Sequence, residues 1–216
     1  MPSARQVPVR VAYLPGSPSS KTKTESQNAN AAAISLRVGM IILESRRLLF
    51  RQHKLLDLES YCAMEMDAEV RRFVGGYPRS RGDAEHKFRH SLSEPPLDRL
   101  CVWATILKPA GPYVGRCGLY PHLGPGGKVV PAEAVLSFYI ARAFWNQGLA
   151  SEAAEAFVGF GWKDLHLSRI VATVEEGNSA SVRILQKLGF NLIQTEPGLR
   201  TLLKFALINP NSNQHY

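Results

Sequence analysis

The segment from residue 134 to residue 165 constrains the fold more than any other part of this sequence. Residues 134–140 (AVLSFYI) are almost continuously apolar, which is typical of a strand buried on both faces. A short loop containing Gly148 follows. Apolar residues then recur at helical spacing at Leu149, Ala153, Ala156, Phe157 and Phe160. A buried strand that leads into an amphipathic helix predicts an α/β domain in which helices cover a sheet.

Strand patterns and helix patterns alternate along the rest of the chain. After a strand-like start at Met40, strands are indicated at 47–52, 100–107, 113–120, 134–140, 169–175, about 190–195 and 201–207. Helices are indicated at 57–74, 80–92, 148–165 and 178–188. Gly75–Gly76 is expected to end the first helix, and Asn178 is expected to cap the last one. These patterns predict a mixed α/β (α+β) fold with a sheet of about seven strands and helices on both faces.

The chain of 216 residues suits one globular domain with some additional chain. Residues 1–39 are rich in Ser, Pro, Thr, Asn and Ala and have no strand or helix periodicity, so we expect a disordered, dispensable extension. Translation that starts at Met40 would explain it, and a transit peptide is a weaker explanation. We therefore expect the domain at 40–208 and a short tail at 209–216.

Charge and composition exclude several functional classes. The net charge is +8, of which half lies in residues 1–40, and basic residues form no long run. A mildly basic domain suits an anionic ligand such as a nucleotide phosphate better than nucleic acid. No apolar run approaches the roughly 18 residues that a membrane span needs. The three cysteines, Cys62, Cys101 and Cys117, form no C-x-x-C motif, which favours a reduced cytoplasmic protein.

The loop between the strand at 134–140 and the following helix is a candidate anion site. The first backbone N–H groups of a helix have no partner inside it, and the helix dipole favours negative charge there. Small residues let an anion approach them closely. The donors to a phosphate would be the amides of Gln147, Gly148, Leu149, Ala150 and Ser151. Alternatively Gly148 only permits a tight turn, and this segment alone does not separate the two interpretations.

A second segment makes the first more specific. Residues 175–190 read EEGNSASVRILQKLGF, a helix that begins after Asn178 and ends at Gly189. Together the two segments resemble the GNAT superfamily of N-acetyltransferases. WNQGLASEA is similar to its Q/R-x-x-G-x-G/A pyrophosphate loop. NSASVRILQKLGF is similar to the N-x-x-S-x-x-x-x-x-K-x-G-F signature of the branch that holds the ribosomal-protein alanine acetyltransferases. IILESRRLLFR and GRCGLYP fit that branch too, so the resemblance covers about residues 40–208.

The resemblance implies a GNAT-like mixed, mostly antiparallel sheet and acetyl-CoA as the acyl donor. The strand at 134–140 would pair with the pantetheine arm near Phe138, Tyr139 and Ile140, while the amides of 147–151 would hold the pyrophosphate. Asn178 and Ser181 would lie near the pantetheine and the thioester sulfur. The strands at 134–140 and 169–175 would separate and admit the acyl group between them.

The sequence departs from the family pattern at three positions. Trp145 stands where the loop often begins with Gln or Arg, as is usual in this branch. Leu185 stands where many members carry a Tyr that protonates the leaving thiolate, which makes Ser181 the nearest hydroxyl substitute. Val135 stands where this branch often carries Glu. Glu133, two residues earlier on the same strand face, is therefore a candidate base, and a solvated strand-end carboxylate is the alternative.

These observations predict an N-acetyltransferase that acts on a protein N-terminal α-amine or a small-molecule amine. The alternative is a non-catalytic acyl-CoA-binding module, because Leu185 removes the usual acid. His86 and His90 are spaced like metal ligands on one helix, but no third ligand is evident, so no metal is expected. Phe73 and Tyr77 could line an acceptor pocket. We expect a cytoplasmic monomer or homodimer that binds neither nucleic acid nor membrane.

Overall fold

The computed structural model describes residues 41–93 and 99–212. The expected extension at 1–39 and the last four residues of the expected tail lie outside the described residues. Residues 209–212 of that tail form a turn that packs on the domain. Asn209 is buried there, and its side-chain amide donates to the Leu167 carbonyl at 2.9 Å.

A single sheet of eight strands organises the described chain. The strands are β1 (Ile41–Glu44), β2 (Leu48–Arg51), β3 (Cys101–Leu107), β4 (Tyr113–Leu123), β5 (Val129–Ile140), β6 (Arg169–Glu175), β7 (Asn191–Glu196) and β8 (Leu202–Ile208). They lie in the order β1-β2-β3-β4-β5-β6-β8-β7, with β5–β6 parallel and the other described pairs antiparallel. The predicted mixed fold is confirmed. The strand count exceeds seven because the chain turns back after Glu44, with Ser45 N–H bonded to Leu48 O at 2.9 Å.

Five helices of the described chain flank the sheet. They are α1 (Leu58–Met66), α2 (Ala68–Arg71), α3 (Arg81–Ser93), α4 (Leu149–Lys163) and α5 (Ser179–Lys187). The helix predicted at 57–74 is interrupted at Asp67, whose backbone is extended and whose carboxylate caps α2 by accepting from Glu69 and Val70 N–H. The spacing of apolar residues does not reveal this break. The break depends on the Asp67 side chain, which accepts from backbone N–H groups that would otherwise bond within the helix. None of the described helices is both long and apolar enough to cross a membrane.

The sheet separates two cores. Its α4 face carries the main core, in which Phe157 packs edge-on against Phe50 with ring centroids 4.8 Å apart. The opposite face is covered by α1 and α3 and carries a second core around Tyr61. Successive side chains of a strand point to opposite faces, so Leu136 of β5 enters the main core while Tyr139 packs against the second. This alternation decides which side chains of β5 lie on each side of the sheet.

Candidate active site

β5 and β6 separate partway along their length and leave a cleft between them. They pair where Glu133–Val135 meets Arg169–Val171. Beyond this point β5 stays paired with β4 as far as Ile140, and β6 stays paired with β8 as far as Glu175. The resulting cleft has a volume of about 600 Å³ and is lined by residues from both faces of the sheet. The structure thus shows the strand separation that the resemblance implied.

The cleft-facing edge of β5 carries backbone groups that β4 does not use. Ala141 N–H bonds to the Val114 carbonyl at 2.8 Å. The Ile140 carbonyl points the other way and accepts from the Trp145 indole at 2.7 Å. Strand backbone groups alternate between the two edges, so the N–H and carbonyl of Phe138 also face the cleft. An extended ligand with amide groups could therefore pair with β5 as an added strand does.

The loop before α4 presents a row of backbone donors. The first helical bond runs from Glu152 N–H to the Gly148 carbonyl at 3.1 Å, and the N–H groups of 148–151 have no acceptor among the described residues. Gly148 caps the helix with φ 74°, a left-handed conformation that other residues rarely adopt. A Cβ at this position would contact the Arg47 guanidinium at 3.5 Å and no other described residue within 4 Å. An anion therefore has room to approach the donors.

Three residues, Ser45, Arg47 and Glu152, form a clip that attaches this loop to the β1–β2 turn. Glu152 accepts from Ser45 Oγ at 2.7 Å and from both Arg47 N–H and Nε at 2.6 Å. Arg47 Nη1 donates in turn to the Gln147 carbonyl at 2.9 Å. Burial alone would raise the pKa of Glu152, but the hydrogen bonds from Arg47 and Ser45 lower it overall. The carboxylate is therefore ionised at neutral pH, and the clip is held by charge-assisted bonds.

Helix α5 lines the same side of the cleft. Asn178 caps it, and the side-chain oxygen accepts from Ser181 N–H at 3.2 Å. Ser181 faces the cleft, as do the cations Arg183 and Lys187. Leu185 is fully buried in the main core, so its position contributes packing and no proton donor. The two cations were not predicted from the sequence, although their i, i+4 spacing places them on one helix face.

The side of the cleft away from α4 is aromatic and polar. Its lining includes Phe73, Tyr120, Tyr139, Thr173 and Glu175. Ala172 and Val174 belong to the main core, so the side chains of Thr173 and Glu175 point to the opposite face. Phe73 was expected here from the sequence, whereas Thr173 and Glu175 were missed, since nothing in the strand pattern shows where β6 loses its partner.

A buried ion cluster supports Tyr139 from behind. Arg116, the β4 residue opposite Tyr139, places its guanidinium 4.6 Å from the centroid of the Tyr139 ring. Its Nη2 binds Glu65 of α1 at 2.5 Å, and Glu65 also pairs with Arg79 at 2.8 Å and Arg71 at 3.4 Å. Burial would raise the pKa of Glu65, but the charges of Arg116 and Arg71 lower it overall. One carboxylate thus holds three guanidiniums in place behind this wall of the cleft.

Most residues that the sequence analysis named line the cleft. They are Phe138, Tyr139, Ile140, Gly148, Leu149, Ala150, Ser151, Asn178 and Ser181. Gln147 is not part of the lining. Its exposed side chain donates to the Ala143 carbonyl at 3.3 Å, and its own carbonyl is held by the clip.

The structure does not bring Glu133 to the cleft. Glu133 lies in the paired part of β5, where it contacts His122 Nδ1 at 2.7 Å and Arg169 Nη1 at 3.3 Å. Val135, on the same strand face, does line the cleft. A strand rises about 3.3 Å per residue, so two residues place Glu133 on the closed side of the point where the strands separate. The alternation of side chains along β5 predicts the face of the sheet on which Glu133 lies. It does not predict where β5 and β6 separate.

The described cysteines form no disulfide, and the described acidic residues form no cluster of the kind that holds a metal. Cys62, Cys101 and Cys117 are all free thiols. Among residues 41–93 and 99–212, no three His, Cys, Asp or Glu side chains come together in a way that could hold a metal ion.

Comparison with known families identifies this arrangement. A family model described as an acetyltransferase (GNAT) domain matches residues 47–191. The chain belongs to the GNAT acetyltransferase family. The matched span contains both strands of the cleft, the loop before α4 and helix α5.

Relatives and solved structures agree with the family. The uncharacterized N-acetyltransferase p20 of Bacillus licheniformis is 26% identical over 152 residues, which are 70% of this chain and 83% of that protein. The uncharacterized N-acetyltransferase YnaD of Bacillus subtilis is 24% identical over 147 residues, 68% of this chain and 81% of that protein. A GNAT-family acetyltransferase from Bacillus anthracis has a TM-score of 0.67 at 21% identity, covering 78% of this chain and 98% of that one. At this identity the structural likeness shows the fold alone.

Family membership sets the reaction. The protein is an acetyltransferase that transfers an acetyl group from acetyl-CoA to an amine. This favours the enzyme over the non-catalytic acyl-CoA-binding module. The family does not specify the acceptor.

Proposed function

We propose that this cleft is the acetyl-transfer site, with acetyl-CoA held along β5 and at the start of α4. The N–H groups of residues 148–151 would hold the diphosphate, and Phe138–Ile140 would pair with the pantetheine arm. Arg183 and Lys187 add positive charge on the same side for the phosphates. The observation that carries this proposal is the row of backbone donors behind Gly148, where a left-handed glycine leaves room for an anion.

The residues of the cleft suit attack by an amine on a thioester, which acetyl-CoA supplies as the activated acyl group. The amine must be neutral, yet a Lys amine has a pKa of about 10.4 and an α-amine about 8, so a base or water must remove a proton. The nitrogen then forms a bond to the acyl carbon, the carbon–sulfur bond breaks, and the sulfur leaves as a thiol after it takes up a proton. The N–H of Phe138, which faces the cleft by strand alternation, would stabilise charge on the carbonyl oxygen.

The Ser181 hydroxyl is our proposed hydrogen-bond donor to the leaving sulfur. Ser181 lies on the cleft wall, whereas Leu185 is buried and offers no hydroxyl. A thiol has a pKa of about 8.5, so its thiolate is a fair leaving group and needs only modest help. Holding the reactants in line could lower the barrier by roughly 7–11 kcal/mol, which makes positioning the larger contribution.

The proposed acceptor is a protein N-terminal α-amine or a small-molecule amine. The motif NSASVRILQKLGF supports the first, because it resembles the branch of the ribosomal-protein alanine acetyltransferases. The aromatic wall formed by Phe73, Tyr120 and Tyr139 supports the second, because it suits a compact apolar group. The three free thiols favour a reducing, cytoplasmic setting.

Gly148→Glu directly tests whether the backbone N–H groups of residues 148–151 bind the diphosphate. The new carboxylate would occupy the approach to the amides and repel the diphosphate, so calorimetry should detect no acetyl-CoA binding. Gly126→Glu is the matched control, because Gly126 also has positive φ (75° against 74° for Gly148) and has no described atom within 4 Å of a Cβ. It imposes similar backbone strain and the same charge in the β4–β5 turn. Equal acetyl-CoA affinity in both variants would remove the phosphate assignment.

A further inference from the structure

Glu175 is the less exposed of the two acidic residues that line the cleft. The other, Glu69, has a side chain that is 49% exposed at the start of α2 and lies 4.0 Å from Arg72. The Glu175 side chain is 14% exposed at the end of β6. A carboxylate is seldom removed from water unless it is paired or hydrogen-bonded. Its partners therefore indicate what it can do.

Arg200, in the loop between β7 and β8, holds one oxygen of Glu175. Arg200 Nη2 pairs with Glu175 Oε1 at 2.7 Å and also donates to the Arg72 carbonyl. These contacts fix the carboxylate between β6 and the end of α2. Within the described chain, Glu175 Oε2 accepts no hydrogen bond. A carboxylate offers about four acceptor positions, so Oε2 keeps its capacity in a fixed direction.

The surroundings of Glu175 suit a cationic nitrogen attached to a carbon chain. Tyr120 and Tyr139 line the same side of the cleft, and aromatic rings attract an ammonium group. Arg72 also lines this side, and its guanidinium lies 5.2 Å from the centroid of the Phe73 ring and 4.0 Å from Glu69. Arg200 contacts Glu175 only at Oε1 and leaves Oε2 open to the cleft. The attraction for a cation is therefore local to the free oxygen and does not come from a net negative field.

We propose that Glu175 Oε2 binds the amino group of the acceptor, which enters as a primary alkylammonium. The inference rests on the proposed function, because the nitrogen must meet a thioester held by β5. A charge-assisted N–H···O⁻ bond would hold the ammonium at the end of the gap between β5 and β6. After one proton leaves to water, a remaining N–H keeps the bond and keeps the lone pair in place for attack. Aryl amines, which are uncharged at neutral pH, would be poor acceptors.

The experiment compares Glu175→Gln with Glu133→Gln. Both residues point to the same face of the sheet, and both pair with an arginine, Arg200 or Arg169, but only Glu175 lines the cleft. Initial rates are measured with acetyl-CoA and three probes, phenethylamine, spermidine and dialanine, each over a range of ionic strength. Aniline serves as the uncharged aryl amine. Acetyl-CoA affinity is measured by calorimetry in every variant.

We expect Glu175→Gln to raise the KM for the best alkylammonium probe at least tenfold and to leave acetyl-CoA affinity within twofold. The KM of the wild type should rise with ionic strength, and this rise should be lost in Glu175→Gln. Glu133→Gln should match the wild type within twofold. The inference is overturned by an unchanged KM in Glu175→Gln, by equal losses in the two variants, or by a wild-type enzyme that prefers aniline or acetylates none of the three alkylammonium probes. A wild-type protein that shows no acetyl-CoA binding in calorimetry would instead refute the proposed function.

Discussion

Glu152→Gln should loosen the loop that we assign to phosphate binding without touching the ligand itself. The amide retains one acceptor for Ser45 Oγ and Arg47 N–H, which contact Oε1 at 2.7 and 2.6 Å. Its NH2 group would face Arg47 Nε, which now donates to Oε2 at 2.6 Å. Two donors would then oppose each other, and Arg47 would release the Gln147 carbonyl that it holds at 2.9 Å.

The expected magnitude follows from these contacts. A hydrogen bond to a charged group contributes about 1.5–3 kcal/mol, but a partly exposed ion pair contributes only about 0.2–1 kcal/mol. Arg47 is 37% exposed and Glu152 14%, so we expect an intermediate loss of about 1–2 kcal/mol in the free energy of unfolding. Re-ordering the freed loop on binding should cost about 0.5–1.5 kcal/mol more, which raises the Kd for acetyl-CoA roughly two- to twelvefold.

Urea denaturation and calorimetry would measure the two effects, and pH provides an internal check. The folded-state pKa of Glu152 is lowered, so its contribution is present above its unfolded pKa of about 4.3 and is lost as pH falls through the folded value. The stability difference between wild type and Glu152→Gln should therefore be full at pH 7 and vanish in strong acid. Equal urea midpoints at pH 7, or a difference that persists in strong acid, would refute the reasoning.

Two further predictions concern Ser181 and His53. Ser181→Ala should lower turnover by about tenfold or less with unchanged acetyl-CoA affinity, because the lost bond forms mainly in the transition state. Kinetics identical to those of the wild type from pH 6 to 9 would show that the leaving sulfur takes its proton from solvent. Burial and the Arg116 charge lower the pKa of His53 to about 4, so protonation favours the unfolded state as pH falls below about 6.5. His53→Leu should therefore reduce the stability lost between pH 6.5 and 4 by roughly 2–3 kcal/mol, measured by urea denaturation at both pH values.

The acetyl-CoA side of the site was predictable because its parts are close together in sequence. The strand at 134–140, the glycine of the loop and the next helix follow one another within about thirty residues, and each has its own local signal. The left-handed Gly148 and the capping Asn178 are likewise properties of short segments. These features depend on the conformational preferences of neighbouring residues, so they can be predicted before the pairing of the strands is known.

The acceptor side was not predictable in the same way, because several distant segments form it. Glu175 faces the cleft only because β5 and β6 stop pairing after Val135 and Val171, and no periodicity marks that point. Glu133 was named as a candidate base for the same reason, since alternation gives the face of a strand and not the end of its pairing. The cluster of Glu65 and Arg116 joins residues 51 positions apart, which no local pattern connects.

This difference has a consequence for specificity. The acetyl-CoA site depends on backbone groups of β5 and α4, which many side-chain substitutions would leave intact. The acceptor wall is built from side chains of β4, β5, β6 and the segment after α2, and Arg200 of the β7–β8 loop holds its carboxylate. Substitutions at Phe73, Tyr120 or Arg200 can therefore change the amine that is accepted without weakening acetyl-CoA binding. Arg116 is an exception, because it contacts Tyr139 of β5 and Glu65 of α1 together. Its replacement would disturb both sides, since breaking a buried ion pair typically costs about 3–5 kcal/mol.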